Sequence, residues 1–325
     1  MTAQALLSVR DLTMNYKTRR GMVSAIDAVS FDLRQGESLG LVGESGCGKT
    51  SLAMALLRLL PENAVVERGQ ILIEGADLLT MTDQQVRDTR WSRVSMVFQA
   101  AMNALDPVFT VSDQILEAIY RHQPGIEPSV ARARVTQLFQ MVGIDPKMAD
   151  RYPHEFSGGM RQRAVIAMAL ACSPALIIAD EPTTALDVIV QDQVLRELRR
   201  VQSLLNMSMI YISHDIAVIA EVAERIGVMY AGRLVELAPS AAIFHTPAHP
   251  YTLALMSAFP SIHGPRTRLT ALGGEPPDLL FPPTGCRFHP RCPRVLDQCR
   301  QFTPPLQSYG ERHQVACWNP VEVRQ

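Results

Sequence analysis

Eight consecutive residues, Gly43-Glu44-Ser45-Gly46-Cys47-Gly48-Lys49-Thr50, constrain this chain more than any other stretch. They match G-x-x-x-x-G-K-[ST] in full. They lie between an apolar run from Ser38 to Val42 and a helical pattern from Lys49 to Leu60, which Pro61 stops. A buried strand that ends in a glycine-rich turn and restarts as a helix points backbone N–H groups inward at an anion. The positive end of the helix dipole faces the same anion. Lys49 is therefore expected to reach the β- and γ-phosphates of a nucleotide and Thr50 to hold its Mg²⁺. Gly43 to Thr50, with the adjoining Ser51, are the expected phosphate-binding residues.

A second stretch completes the chemistry. Leu176-Ile177-Ile178-Ala179-Asp180-Glu181 is an apolar strand ending in two carboxylates. Asp180 suits a Mg²⁺ role and Glu181 suits polarising an attacking water. Ser157-Gly158-Gly159 opens a third, helical stretch. Ser157 is a natural N-cap, and the glycines permit close backbone approach to an anion.

The rest of the pattern gives the fold class. Val94 to Phe98, Ala175 to Ala179 and Met209 to Ile212 read as further strands, while Val190, Val194, Leu198, Val201 and Leu205 recur at helical spacing. This alternation predicts an α/β fold with a mostly parallel sheet. From about Asp113 to Ala171 strand character is low, and Val135, Leu138, Phe139 and Val142 make an amphipathic face, so a helical insertion is expected over 113–171. Ala164 to Ala179 is the most apolar stretch. It is too short to span a bilayer and Pro174 breaks it, so it reads as a buried helix, a turn and a buried strand. The absence of a basic and apolar leader at the N-terminus argues against a signal peptide. A net charge of −1 speaks against a nucleic-acid binder.

Beyond about Pro260 prolines cluster, among them Pro276, Pro277, Pro282, Pro283, Pro304 and Pro305. Long helices and central strands are excluded there. Four of the six cysteines, Cys286, Cys292, Cys299 and Cys317, crowd into this segment. Reduced thiols in such a cluster point to a metal before disulfides. The residues leave open an iron–sulfur cluster, Zn²⁺ or free thiols, although the gaps are wider than the paired spacing of structural zinc sites.

Together these motifs resemble the ATP-binding-cassette family. The resemblance covers about residues 6 to 260 and implies a RecA-like P-loop core with an antiparallel β subdomain and the helical subdomain. It assigns ATP and Mg²⁺ to Gly43–Ser51, Asp180 and Gln99, adenine stacking to Tyr16, signature contacts to Ser157, Gly158 and Gly159, and catalysis to Glu181, His214 and Gln99. Thr184-Ala185-Leu186-Asp187 resembles the loop following the catalytic carboxylate. Departures occur at Phe156 and Met160, and at Ala100-Ala101 beside Gln99.

His249-Pro250-Tyr251-Thr252, Gly285-Cys286 and Pro290-Arg291-Cys292-Pro293 are similar to the tail of dipeptide and oligopeptide importer ATPase subunits and their nickel-import relatives. That resemblance implies a nucleotide-binding domain over 6–260 and an irregular Cys-rich tail over 261–325 carrying a 4Fe–4S cluster, with Zn²⁺ as the alternative. It implies as partners a second, different ATPase subunit, two transmembrane permeases and, indirectly, a substrate-binding protein. The location implied is the cytoplasmic face of the inner membrane. A soluble cassette acting on nucleic acid or ribosomes, a small-molecule kinase, and an importer for nickel or sugars are the competing readings.

Overall fold

The structure is a computed structural model, and it describes residues 5–99, 104–184, 186–258 and 273–321. The expectations at Ala100, Ala101, Ala185 and the composition shift at Pro260 lie outside these residues.

Two sheets are present. β1 (Ala5–Thr18) and β2 (Gly21–Arg34) pair antiparallel along their length. β3 (Ser38–Val42) follows, then β4 (Ala64–Ile73) and β5 (Ala76–Asp77), which add to β1 to give the order β2-β1-β4-β5. The second sheet contains β3, β6 (Val94–Val97), β7 (Leu176–Asp180), β8 (Ser208–Ile212), β9 (Arg225–Tyr230), β10 (Arg233–Pro239), β11 (Gln307–Gly310) and β12 (His313–Val315). Its order is β11-β12-β10-β9-β3-β8-β7-β6, with parallel pairing from β9 through β6 and antiparallel pairing from β9 to β11. The predicted mostly parallel sheet and the antiparallel subdomain are both observed.

The central strands are buried on both faces, which is why they read as unbroken apolar runs. Along β7, Ile177 and Ala179 join the core under the helices, while Leu176 and Ile178 join the core under the β1–β2 hairpin. Helices α1 (Lys49–Leu56) and α2 (Asp83–Thr89) join the core under the hairpin through Leu52, Ala53, Ala55, Leu56 and Val86. α3 (Val111–His122), α4 (Pro128–Met141) and α5 (Gly158–Ala169) form the helical insertion, and Val135, Leu138, Phe139 and Val142 are buried there as their spacing requires. α6 (Val188–Leu205) buries Val194, Leu198 and Val201. α7 (Ile216–Val222), α8 (Ser240–His245), α9 (Pro250–Ser257) and α10 (Asp297–Gln301) are short. Among the described residues no helix is long and apolar enough to cross a membrane.

Two boundaries differ from the sequence reading. α1 stops at Leu56, four residues early, because Arg58 adopts φ 50° and its guanidinium reaches back to the Met81 carbonyl and to Asp83. The tail is also less irregular than its prolines suggest. β11 and β12 follow Pro304-Pro305 and extend the main sheet beyond β10, at the edge where proline-poor short strands can still pair. Their attachment is chemical as well as geometric. Glu236 of β10 is fully buried, and its carboxylate accepts hydrogen bonds from the Ala248 and His249 amides (2.7 and 2.9 Å) and stands 2.7 Å from His313 Nε2 of β12. A buried carboxylate without these partners would be strongly destabilising. Burial lowers the His249 pKa to about 4 against the pull of Glu236, so His249 is neutral and its Nδ1 accepts the Tyr251 amide at the start of α9.

Candidate functional site

The phosphate loop joins β3 to α1. Its backbone crosses so close to two other strands that side chains are excluded. A Cβ on Gly43 would lie 2.1 Å from the Met229 carbonyl oxygen of β9, and one on Gly48 would lie 2.4 Å from that of Ala25 in β2. Both glycines also hold positive φ, 148° and 107°. The loop is thus clasped between the two sheets. Lys49 is buried, and its ammonium donates to the Gly43 and Glu44 carbonyls at 2.7 and 3.1 Å. It lies across the loop, bonded to its own backbone. Burial raises the Cys47 thiol pKa despite the nearby Lys49, so Cys47 packs as an apolar residue.

A cavity of ≈ 440 Å³ opens beside the loop, lined by Ser45, Gly46, Gly48, Lys49, Thr50, Ser51, Gln99, Glu181, Ile212 and His214. Three strand ends meet on one carboxylate there. Gln99, just past β6, donates to Glu181 Oε2 at 3.0 Å. The Thr184 hydroxyl donates to the same oxygen at 2.8 Å. His214, after β8, places Nδ1 3.0 Å from Oε1. Glu181 itself holds φ 49°, and its amide donates to the Ile212 carbonyl at 2.8 Å. This left-handed turn, unusual for a residue with a Cβ, swings the side chain out of the β7 line and into the cavity. Burial alone would raise the Glu181 pKa, but the hydrogen bonds from Thr184 and His214 and the charges of His214 and Lys49 hold it below the ordinary value. The group is ionised at neutral pH. A carboxylate so held orients and polarises a water more than it removes its proton outright.

Asp180 is the adjacent buried carboxylate. Burial raises its pKa and the Glu181 charge adds to this, while the Thr50 hydroxyl and Lys49 oppose it. Its Oδ1 has no hydrogen-bond partner although it is fully enclosed. An orphaned carboxylate oxygen with the Thr50 hydroxyl beside it is a donor set that fits Mg²⁺. Tyr16 stands at the edge of the site, its hydroxyl 3.1 Å from Ser51 Oγ. Ser157, Gly158 and Gly159 do not line the cavity. Ser157 caps α5, accepting the Met160 amide at 3.3 Å, and a Cβ on Gly159 would lie 2.6 Å from Val190 of α6.

Sequence reasoning missed three groups that touch the site. Thr184 was placed in a loop but not against Glu181. Arg291 and Tyr251 were assigned only to the tail, yet both bond to Glu44 of the phosphate loop. No sequence spacing signals contacts across more than two hundred residues.

All six cysteines are free thiols. In the tail each sulfur accepts a backbone N–H: Cys286 from Phe288 and His289, Cys292 from Arg294, Cys299 from Leu296 at 3.4 Å, and Cys317 from Asn319 at 3.3 Å. Burial pushes the Cys317 thiol up to about 12, and the neighbouring Cys286, Cys292 and Cys299 add to the rise. The four thiols are therefore gathered in one place, but among the described residues no group of three or more His, Cys, Asp or Glu side chains is arranged to hold a metal ion.

The chain matches the family model described as ABC transporter over residues 26–184 and the model described as oligopeptide/dipeptide transporter, C-terminal region over 235–299. It is 44% identical to the dipeptide transport ATP-binding protein DppD of Bacillus subtilis, covering 97% of this chain and 95% of that one. It is 42% identical to the oligopeptide transport ATP-binding protein OppD of the same organism (96% and 88% covered) and 42% identical to DppD of Escherichia coli (98% of each). Among solved structures it resembles the dimeric post-hydrolysis state of the ATP-binding cassette MJ0796 bound to ADP and Pi, with TM-score 0.65, 25% identity, and coverage of 72% of this chain and 98% of that one. A glycine-rich loop clasped between two sheets, a carboxylate held by Gln99, Thr184 and His214, and near-full-length similarity lead to one statement: the chain belongs to the ATP-binding-cassette ATPases, in the branch of dipeptide and oligopeptide transport ATP-binding proteins.

Proposed function

We propose that this ATPase powers the import of dipeptides or oligopeptides, as a peripheral subunit on the cytoplasmic face of the inner membrane. The match of the tail to the oligopeptide/dipeptide transporter C-terminal region carries this reading. Nickel or sugar import and a soluble role on nucleic acid or ribosomes have no comparable support.

In the reaction, the residues 43–51 bind the triphosphate, and Tyr16 stacks on adenine. Thr50, Asp180 and Gln99 would hold Mg²⁺, whose charge would offset that of the phosphates. Glu181 orients the attacking water, with Gln99 and Thr184 fixing one carboxylate oxygen and His214 the other. His214, exposed beside the cavity, meets the γ-phosphate in this reading. Ser157, Gly158 and Gly159 serve the site of a partner cassette, and a partner's signature serves this one. That partner is a second, related ATPase subunit; two permeases supply the membrane spans and a substrate-binding protein delivers the peptide. The nucleotide-binding domain spans residues 6–260 and the tail 261–325. Purification of the tagged chain from membranes tests the reading: integral membrane proteins and a second cassette accompany it, and ATP hydrolysis rises when peptide-loaded binding protein is added to the reconstituted complex. A chain recovered free of membrane proteins would refute it.

The tail thiols hold a 4Fe–4S cluster in this reading, with Zn²⁺ the alternative. The five N–H donors to the four sulfurs support it, since such bonds stabilise thiolate ligands, and cation binding reverses the raised thiol pKa values. Anaerobically purified protein is expected to be brown, with iron and acid-labile sulfide. Cys→Ser at 286, 292, 299 or 317 abolishes both, while changes at Cys47 or Cys172 leave them. Stoichiometric zinc without iron would move the assignment to Zn²⁺, and absence of any metal would reject it.

A further inference from the structure

One residue of the phosphate loop is held from outside the cassette core. Glu44 is the first variable position of the loop, and its side chain is not among those lining the nucleotide cavity. It points the other way, where Arg291 takes both carboxylate oxygens in a two-pronged pair at 2.7 and 2.9 Å. The Glu44 backbone is engaged on both sides as well. Its amide donates to the Tyr251 hydroxyl at 3.0 Å, and its carbonyl is one of the two that hold Lys49. A single residue therefore connects the phosphate-binding lysine to the tail.

The clamp is rigid. The Arg291 side chain is 6% exposed, its Nε donates to the Gly273 carbonyl at 2.9 Å, and its guanidinium lies 5.7 Å from the centroid of the Tyr230 ring. The turn that carries it, His289–Arg291, is closed by the Arg291 amide donating to the Phe288 carbonyl at 3.0 Å. Phe288 is buried, with its ring 5.2 Å from Tyr230 and 5.4 Å from Tyr251. Arg291 and Tyr251 thus reach Glu44 from one aromatic cluster, fixed to each other as well as to the loop.

A carboxylate in a loop that must accept a polyanion is electrostatically adverse unless it is neutralised. Glu44 has one cation at each end: Arg291 at its carboxylate, and Lys49 at its carbonyl. If Arg291 were absent, the freed carboxylate would be left as a fixed anion next to the loop, with Lys49, already bonded to the Glu44 carbonyl, a cation of the same loop open to it. We propose that Arg291 is a positioning residue of the nucleotide site: by neutralising and immobilising Glu44, it keeps that carboxylate from opposing the bound nucleotide and from competing for Lys49. The two-pronged geometry suits arginine alone, because a lysine offers charge without the fork. The tail is then part of the ATP site of its own chain and sets nucleotide affinity, in addition to whatever its thiols bind.

The inference rests on residues 43–51 being the nucleotide site, and saturable binding of Mg²⁺–ADP to the wild-type full-length chain checks that separately. Calorimetric titration with Mg²⁺–ADP then distinguishes the role of Arg291. Arg291→Ala is expected to weaken binding about tenfold, a change of about 1.4 kcal/mol. Adding Glu44→Gln to that variant is expected to restore affinity to within about threefold of wild type, because the unpaired anion is gone. A tail that merely failed to fold would not be rescued by a change in the loop. Should Arg291→Ala not yield folded protein, Arg291→Lys keeps the charge and loses the fork. It is expected to bind with intermediate affinity and to be relieved by the same second change. Wild-type affinity in Arg291→Ala, or an Arg→Ala or Arg→Lys variant that Glu44→Gln leaves unimproved, would overturn the proposal.

Discussion

Glu181→Gln is expected to slow ATP hydrolysis by the assembled complex about 10²–10³-fold while Mg²⁺–ATP stays bound. The substitution preserves shape. Gln99 and the Thr184 hydroxyl both donate to Oε2, so that atom must remain the amide oxygen, and the new NH₂ faces His214 Nδ1. A neutral imidazole with its proton on Nε2 accepts that contact, so the cavity keeps its geometry and loses only a charge. What disappears is the ionised carboxylate that Thr184, His214 and Lys49 hold below the ordinary Glu pKa. Single-turnover hydrolysis, measured with equilibrium ATP retention on the same sample, separates the two quantities. Retention of a large fraction of wild-type turnover would remove Glu181 from the role of orienting water. Loss of ATP binding would show instead that the carboxylate supports the loop.

The second large effect concerns a residue that is not in the cavity of its own chain. Ser157→Arg is expected to leave nucleotide affinity of the isolated chain within about twofold and to cut hydrolysis by the assembled complex about 100-fold. The serine caps α5 through the Met160 amide, and its loss costs about 1 kcal/mol of local stability. That is too little to unfold a chain with two buried cores. In the proposed shared site the larger cost falls on the partner: a bulky cation would stand where, on that reading, a compact hydroxyl and two glycine N–H groups meet the γ-phosphate of the opposing nucleotide. By the same logic the chain alone hydrolyses ATP slowly. Steady-state turnover in the mutant complex equal to that of wild type would sink the shared-site arrangement, as would a fully active monomer.

The parts of the fold that were legible in the sequence are those whose cause is local. The phosphate loop announces itself because Gly43 and Gly48 are demanded by backbone carbonyls at 2.1 and 2.4 Å, and no other residue fits. β7 and β8 read as strands because both faces are covered, leaving Leu176 to Ala179 and Met209 to Ile212 wholly apolar. α6 read as a helix because Val194, Leu198 and Val201 face one core. Leu57 to Leu60 misled for a related reason. Leu57, Leu59 and Leu60 pack against the core under the hairpin, and apolar leucines alone do not distinguish a helix from the turn that Arg58 makes. β12 was hidden because its three residues carry no periodicity, and its pairing is decided by Glu236 and His313 from different ends of the segment. Thr184 and Arg291 were illegible in a stricter sense. A threonine hydroxyl and a guanidinium look the same in any loop, and only the fold says which carboxylate they meet.

The tie between Glu44 and Arg291 also sets an order in time. Glu44 leaves the ribosome 247 residues before its partner. At ordinary rates of synthesis that gap lasts about 12 to 50 s, far longer than a strand–loop–helix unit needs to form. During this interval the nascent cassette already has its glycines, Lys49 and Thr50, but its loop carries an unneutralised carboxylate. If Arg291 sets affinity as proposed, nucleotide binding is about tenfold weaker until the tail has been made and packed onto Tyr230 and Tyr251. On that reading a newly synthesised subunit reaches its full affinity for ATP only once the chain has been built past Arg291.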